Sequence, residues 1–333
     1  MIMEVLRALY KTYTGVLPDS MTLLPLSGSA RKYYRITGPV TVIGCKGTNV
    51  RENRAFITIA GQMRSKGINA PEVYAVSEDC MHYLQEDLGD CQLFAMLGPS
   101  IKSGTFGESE RELLLKVMRD LPTIQHRTAE NFDFGVCFPD SAFNRRMVSF
   151  DLNYFKYDFL KFTGLEFDEI RLQDDFDTLT EDALAEDHHT FMYRDFQARN
   201  VMVRDGDPWY IDFQGGRRGP VQYDLASFVW NAGTHFPAPM RRELEDCYMD
   251  ALAAYGDYDR DKFRTRYRLI ALVRMLQELG AYGFRGLYER KRIFLDCLVP
   301  AQECLKGLLS DGFERYPYLE SVLQKVTELD FSE

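Results

Sequence analysis

Up to about residue 88 the apolar residues of this chain come in short runs broken by turn formers. From residue 89 on they recur at helical spacing, and this change of period constrains the fold more than any other feature. Residues 21–26 are mostly apolar and end in the small-residue turn Ser27-Gly28-Ser29-Ala30. Residues 33–36 resume strand character, Thr37-Gly38-Pro39 turns again, and residues 40–43 complete a three-strand meander. Residues 51–65 follow with helical period, placing Ala55, Phe56, Ile59 and Met63 on one face, and 71–76 and 83–85 read as two more strands. Behind them, 110–125, 144–163, 240–255, 262–282 and 300–309 read as helices; Tyr157, Leu160 and Phe162 leave the second of these apolar over much of its surface, as a central helix would be. The one β interruption is 201–213. A β-rich front before a mostly helical back predicts an α+β, bilobal molecule, with a small lobe over 1–88, a hinge at about 85–89 and a larger helical lobe over 89–333.

With 333 residues and 45% hydrophobic content, the chain can bury such a core. Its net charge of -10 disfavours phosphate backbones and anionic lipid, so neither nucleic acid nor a membrane surface is expected as a partner. The seven cysteines, Cys45, Cys80, Cys91, Cys137, Cys247, Cys297 and Cys304, are odd in number and none forms a C-x-x-C pair, which points to a reducing, cytoplasmic setting. Charges inside the first fifteen residues make that stretch an amphipathic helix rather than a signal peptide, and no run of about eighteen uncharged apolar residues exists to span a membrane.

The chemistry concentrates in Tyr193-Arg194-Asp195-Phe196-Gln197-Ala198-Arg199-Asn200 and the sixteen residues that follow. Residues 201–204 read as a strand, 205–208 as a turn and 209–213 as the return strand. Pairing outward from that turn sets 204 against 209, 202 against 211, and 200 against 212 or 213. Asn200 and Asp212 then emerge at one open end of a hairpin, one tight loop from Asp195. A magnesium ion takes hard oxygen ligands such as Asn and Asp side chains, with nucleotide phosphates completing its shell. A further carboxylate off the metal can take the proton of an acceptor hydroxyl. Asp-x₄-Asn, then a hairpin, then Ile-Asp-Phe has the spacing of a kinase catalytic loop and metal-binding aspartate.

These residues, with the trailing Gly219-Pro220 and Tyr223-Asp224-Leu225, resemble the aminoglycoside phosphotransferase/choline kinase superfamily. They are most similar to its bacterial branch of kinases acting on the anomeric hydroxyl of N-acetylmuramate and N-acetylglucosamine. Ser29-Ala30-Arg31-Lys32-Tyr33-Tyr34-Arg35 resembles that branch's front-lobe turn, and residues 275–282 its tail helix. The resemblance implies an ATP- and Mg²⁺-dependent phosphotransferase of protein-kinase-like fold, with a small-molecule acceptor of the sugar class. It implies Asp195 as the catalytic base, Asn200 and Asp212 as metal ligands, and Asp224 bracing the catalytic loop from a helix start. It also implies Ser27, Gly28, Ser29 and Arg31 over the phosphates, and Gln85, Glu86, Asp87 and Leu88 as the hinge that receives adenine.

Two departures stand out. The histidine usual two residues before the base is Tyr193, an aromatic that can pack in its place. No clear strand lysine faces the phosphates: Lys46 falls past its predicted strand, leaving Arg31 or Arg35 to supply the charge, with Glu52 either the helix partner of that cation or a surface carboxylate at the helix start. Arg199, inside the catalytic loop, is expected to neutralise charge; Arg217 and Arg218 can touch an anionic substrate or merely close a turn. His188-His189 follows a stretch, 174–187, read as an acidic linker whose carboxylates would suit a cationic acceptor such as an aminoglycoside or choline-like alcohol. Tyr154, Phe155 and Tyr157 read as core packing or as a sugar platform. A nucleotide-binding scaffold without turnover is the non-enzymatic alternative, and the expected assembly is a monomer or weak dimer.

Overall fold

A computed structural model describes residues 2–25, 31–186 and 188–331. The chain divides into two compact units. The first comprises Met1–Met96, Thr123–Ser141 and Tyr193–Arg217; the second comprises Leu97–Pro122, Ala142–Met192 and Arg218–Glu333. The unit built on the N-terminal sheet thus takes in more chain than residues 1–88, because the segment holding Asp195, Asn200 and Asp212 belongs to it.

In the first unit, helix α1 (Ile2–Thr14) precedes strands β1 (Ser20–Leu23), β2 (Lys32–Thr37) and β3 (Val42–Lys46), helix α2 (Val50–Ser65), and strands β4 (Val73–Val76) and β5 (His82–Glu86). The five strands form one antiparallel sheet in the order β1-β2-β3-β5-β4. Alternation gives this sheet two apolar faces. Tyr34, Ile36, Val42 and Leu84 line one of them and bury Leu6 and Tyr10 of α1, whose period-four spacing matches. The Asn49 side chain caps α2 by accepting from the amides of Arg51 and Glu52, and Ala55, Phe56, Ile59, Ala60 and Met63 form its buried stripe. A short helix, α3 (Leu93–Met96), closes the segment after the sheet.

The hairpin is β7 (Val201–Arg204) and β8 (Asp207–Tyr210). Its register differs from the one expected: Arg204 faces Asp207 and Met202 faces Trp209. The turn is only Asp205-Gly206, both in the left-handed region (φ 53° and 79°), the geometry of a two-residue type I′ turn. Pro208 therefore sits inside the return strand, opposite Val203, rather than in the turn. The slip is by two residues, which preserves the faces, so Asn200 and Asp212 still leave the same end: the Ile211 amide donates to the Asn200 carbonyl. Asn69 straps β8 through its carbonyl to the Tyr210 amide and its Nδ2 to the Pro208 carbonyl; the Val203 amide donates to Cys91 O.

The second unit is helical. It contains α4 (Gly98–Ser103), the start of α5 (Glu108–Ala129), α6 (Arg145–Phe155), α7 (Lys161–Thr163), α8 (Glu169–Ala183), α9 (Val221–Val229), α10 (Ala238–Leu252), α11 (Arg260–Tyr282), α12 (Arg292–Leu295), α13 (Leu298–Leu309) and α14 (Pro317–Val326). A π-helical turn, Lys156–Leu160, joins α6 to α7, and a second, Gly283–Tyr288, ends α11. The stretch read as an acidic linker is helix α8. Asp168 caps it, and Leu172, Phe176, Leu179 and Ala183 bury one face; the acidic residues lie between these positions and hide the period in the sequence. A second β interruption was missed, the strands β6 (Thr190–Met192) and β9 (Arg217–Gly219), too short to show a period. Over 144–163 burial continues to the end on one side only: Phe155, Phe159 and Leu160 are fully buried, whereas Tyr157 and Phe162 are half exposed, Tyr157 beneath the Lys156 ammonium.

Candidate active site

Every side chain expected to touch phosphate or metal, apart from those at Ser27, Gly28 and Ser29, lies in the first unit; those three fall outside the described residues. Asp195 follows Arg194, which holds φ 77°, and Asp212 itself holds φ 67°. Non-glycine residues adopt such angles only when the surroundings impose them. The surroundings are identifiable. Tyr193 is fully buried, its hydroxyl donates to the Ile211 carbonyl, and its ring meets Phe196 and Phe213 edge-on. Phe213 stacks on Phe56 of α2 with centroids 4.9 Å apart, and Phe56 stacks in turn on Tyr83 of β5. A column of rings so ties the sheet to the segment carrying Asp212.

Asn200 is buried in the turn before β7. Its Nδ2 donates to the Asp195 backbone carbonyl at 2.8 Å, which leaves Oδ1 as the acceptor. Gln214 has a role that the sequence alone left unassigned. Its Nε2 donates to Oδ1 of Asp212 at 2.7 Å and fixes the carboxylate, and its place two residues after the aspartate was the only available signal. Burial raises the pKa of Asp212 above the ordinary carboxylate value, and the negative charge of Asp195 adds to the rise; the Gln214 amide and Arg31 oppose it. The Asp195 carboxylate lies against Gly215, where an added Cβ would stand 3.7 Å from Oδ2. Two carboxylates and an amide oxygen in one crowded place fit a hard divalent cation, which would relieve their repulsion. Among the described residues no group of three or more His, Cys, Asp and Glu side chains forms a complete metal site, so such an ion would need further oxygens from a ligand.

The cations sort clearly. Arg31 is buried and its Nη2 lies 3.4 Å from Oε1 of Glu52 on α2, the helix partner anticipated for it. Arg35 is elsewhere: it clamps Asp87 at 2.6 Å and Asp90 at 2.8 Å. Lys46 is not past the strand but is its last residue, paired with Lys32 and His82. Arg199 lies with its guanidinium 3.5 Å from the centroid of Phe94, on α3, and its carbonyl accepts from Gln92. Arg217 is buried and closes the turn after Asp212 through two bonds to the Gly215 carbonyl, while Arg218 is exposed. Of the hinge residues, Gln85 and Glu86 are the last of β5, held by pairing with Ile43 and Val42, and Asp87 and Leu88 begin the connection that follows. Glu86 binds Arg204 of the hairpin at 2.6 Å. Asp224 belongs to the helical unit, fully buried in the first turn of α9; burial first, and then the Asp224 charge, raise the pKa of Tyr248.

Residues 22–264 match the family model described as the phosphotransferase enzyme family. The chain belongs to this family. It is 30% identical over 230 residues to the N-acetylmuramate/N-acetylglucosamine kinase of Neisseria meningitidis serogroup B, covering 67% of this chain and 65% of that one. It is 26% identical over 271 residues to the enzyme of the same name from Pseudomonas putida, covering 79% and 76%. The chain thus spans slightly under two thirds of the Neisseria protein's length. Among solved structures it shares its fold with a choline kinase from Cryptosporidium parvum (TM-score 0.63, 10% identity, 97% and 99% covered) and with amicoumacin kinase (TM-score 0.61, 12% identity, 94% and 91% covered). The fold is the bilobal, protein-kinase-like one expected.

Proposed function

We propose that this phosphotransferase moves the γ-phosphoryl group of ATP, with Mg²⁺, to the anomeric hydroxyl of an N-acetylated amino sugar. The observation that carries the reading is the convergence of Asp195, Asn200 and Asp212 at one end of the hairpin. In the transfer, the acceptor oxygen bonds to phosphorus as the bond to ADP breaks, and Asp195 takes the hydroxyl proton. Oδ1 of Asn200 and the Asp212 carboxylate would hold the metal, which neutralises phosphate charge when bound. Arg31 adds positive charge from the sheet side, and the hinge at 85–88 receives the adenine.

The acceptor class is supported by the names of the Neisseria and Pseudomonas relatives. Fold neighbours with bound nucleotide, such as the complex of amicoumacin kinase with AMP-PNP, support the nucleotide. A cationic acceptor is less favoured, because two carboxylates of α8 already serve the helical unit. Asp175 accepts from the Leu319 amide at 2.7 Å, and Asp182 binds Arg315 and the Tyr316 hydroxyl. The test is turnover with labelled ATP and Mg²⁺ on N-acetylglucosamine, N-acetylmuramate, glucose, kanamycin and choline. Label should pass to the N-acetylated sugars, and Asp195→Asn should lower that rate at least about a hundredfold. Transfer to kanamycin or choline in preference would refute the acceptor; full activity in Asp195→Asn would refute the base.

A further inference from the structure

Strand alternation separates the two basic residues that could meet phosphate. Tyr34, Ile36 and Val42 lie on the sheet face covered by α1. The register Lys32↔Lys46, Tyr34↔Gly44, Ile36↔Val42 puts Lys46 on that same face, as does its pairing with His82 beside Gly44↔Leu84. The opposite face carries Tyr33, Cys45 and Tyr83, which pair in a row across β2, β3 and β5. This is the face that meets Phe56 of α2, and through Phe56 it meets Phe213, the neighbour of Asp212.

Arg31 stands at the start of this row. Its guanidinium lies 3.4 Å from Glu52 and 6.0 Å from the centroid of Phe56, and its side chain is 1% exposed. A charge this deep needs polar company to hold its position. Glu52 is partly open to solvent and supplies one partner. Tyr33 lies two residues on along the same face, close enough to the Arg31 and Asp212 charges to feel both. Burial, first of all, pushes the Tyr33 phenol above its ordinary value, so it remains a neutral hydroxyl that can accept from Arg31 and donate onward.

We propose that Tyr33 is a positioning residue of the phosphate site: with Glu52 it holds the Arg31 guanidinium beside Asp212, and Arg31, not Lys46, grips the nucleotide phosphates. This rests on the ATP reading given above. A planar fork of donors held from two sides suits phosphate oxygens, and an arginine fixed in this way needs no strand lysine.

Calorimetric titration of the whole chain with ATP, ADP and adenosine, in Mg²⁺, tests it. Tyr33→Phe removes one oxygen and should weaken ATP and ADP about fivefold, with adenosine unchanged. Arg31→Met should weaken the two phosphorylated ligands about fiftyfold, again sparing adenosine. The double variant should bind no more weakly than Arg31→Met alone, since Tyr33 acts through Arg31. Lys46→Ala should stay within about twofold of the parent for all three. The proposal is overturned if Lys46→Ala alone shows the phosphate-selective loss, if adenosine weakens as much as ATP in Tyr33→Phe, or if the two losses multiply in the double variant. Unaltered adenosine binding in each variant doubles as the control for folding. A parent chain that binds no adenine nucleotide removes the ATP reading itself, a failure visible before any variant is made.

Discussion

Gln214 and Asn200 spend their amide N–H groups on one task each. One fixes the Asp212 carboxylate at 2.7 Å and the other ties the Asp195 carbonyl at 2.8 Å. Both leave oxygens for a cation, and both limit how far a left-handed residue such as Asp212 can relax. A residue that orients a ligand changes metal affinity more than the chemical step, by about ten- to a hundredfold in metal sites generally. Gln214→Ala should therefore raise the magnesium concentration needed for half-maximal turnover about tenfold, with the rate at saturating magnesium nearly unchanged. Magnesium titration of initial rates checks this; an unchanged magnesium requirement would mean the amide does not hold the carboxylate for a metal. Asp212→Asn goes further, removing the charge, and should lower turnover at least about a hundredfold at any magnesium concentration. Asp195, Asn200 and Asp212 were readable as a set because their spacing and the hairpin are local. Gln214 and Tyr33 were not, because their roles depend on side-chain rotamers and on strand pairing over longer separations.

At the scale of elements, α2 brings Glu52 to Arg31 and Phe56 to Phe213, so its seat on the sheet matters to the site. That seat is set just after β3. Gly47 lies directly against the buried Asn53 of α2, so a Cβ there would stand 2.1 Å from Asn53 Oδ1, while Asn53 Nδ2 is committed to the Cys80 carbonyl at 2.8 Å. Gly47→Ala should therefore displace the helix start, lowering stability by about 1–3 kcal/mol and weakening ATP as well. Chemical denaturation and nucleotide titration check the pair; a loss of stability without any loss of affinity would separate α2 placement from phosphate binding. The helix was legible from Ala55, Phe56, Ile59 and Met63, all of them buried, and the five strands were found within a few residues of their ends. The hairpin register was not legible, since Asp205-Gly206 and a four-residue turn fit the same residues; a slip of two left the conclusion intact because side chains alternate with period two. Helix α8 was lost for a different reason: its acidic residues mask a buried face of only four large or small apolar positions.

For the molecule as a whole, the order of textures foretold a sheet-bearing part and a helical part, but not that residues 193–217 group with the sheet, because grouping depends on contacts made far apart in the chain. The helical unit also carries titratable groups unrelated to the site, and these set its response to pH. Glu245 on α10 is half buried, beside the Tyr267 hydroxyl of α11, and burial lifts its pKa to about 7 from the usual 4.5, against the pull of Tyr267 and Arg241. The unfolded chain ionises this carboxyl at the ordinary value, so the folded form holds the proton more tightly. Its contribution is complete below about pH 4.5 and is lost as pH rises through about 7. Glu245→Gln keeps the shape and cannot ionise, so the stability of the variant relative to the parent should rise by roughly 2–3 kcal/mol between pH 4.5 and pH 8. Urea denaturation of both proteins across that range measures the difference directly, with other carboxyls cancelling between them. A constant difference across the range would mean that Glu245 ionises in the folded enzyme as it does in water, through solvent reaching it between α10 and α11.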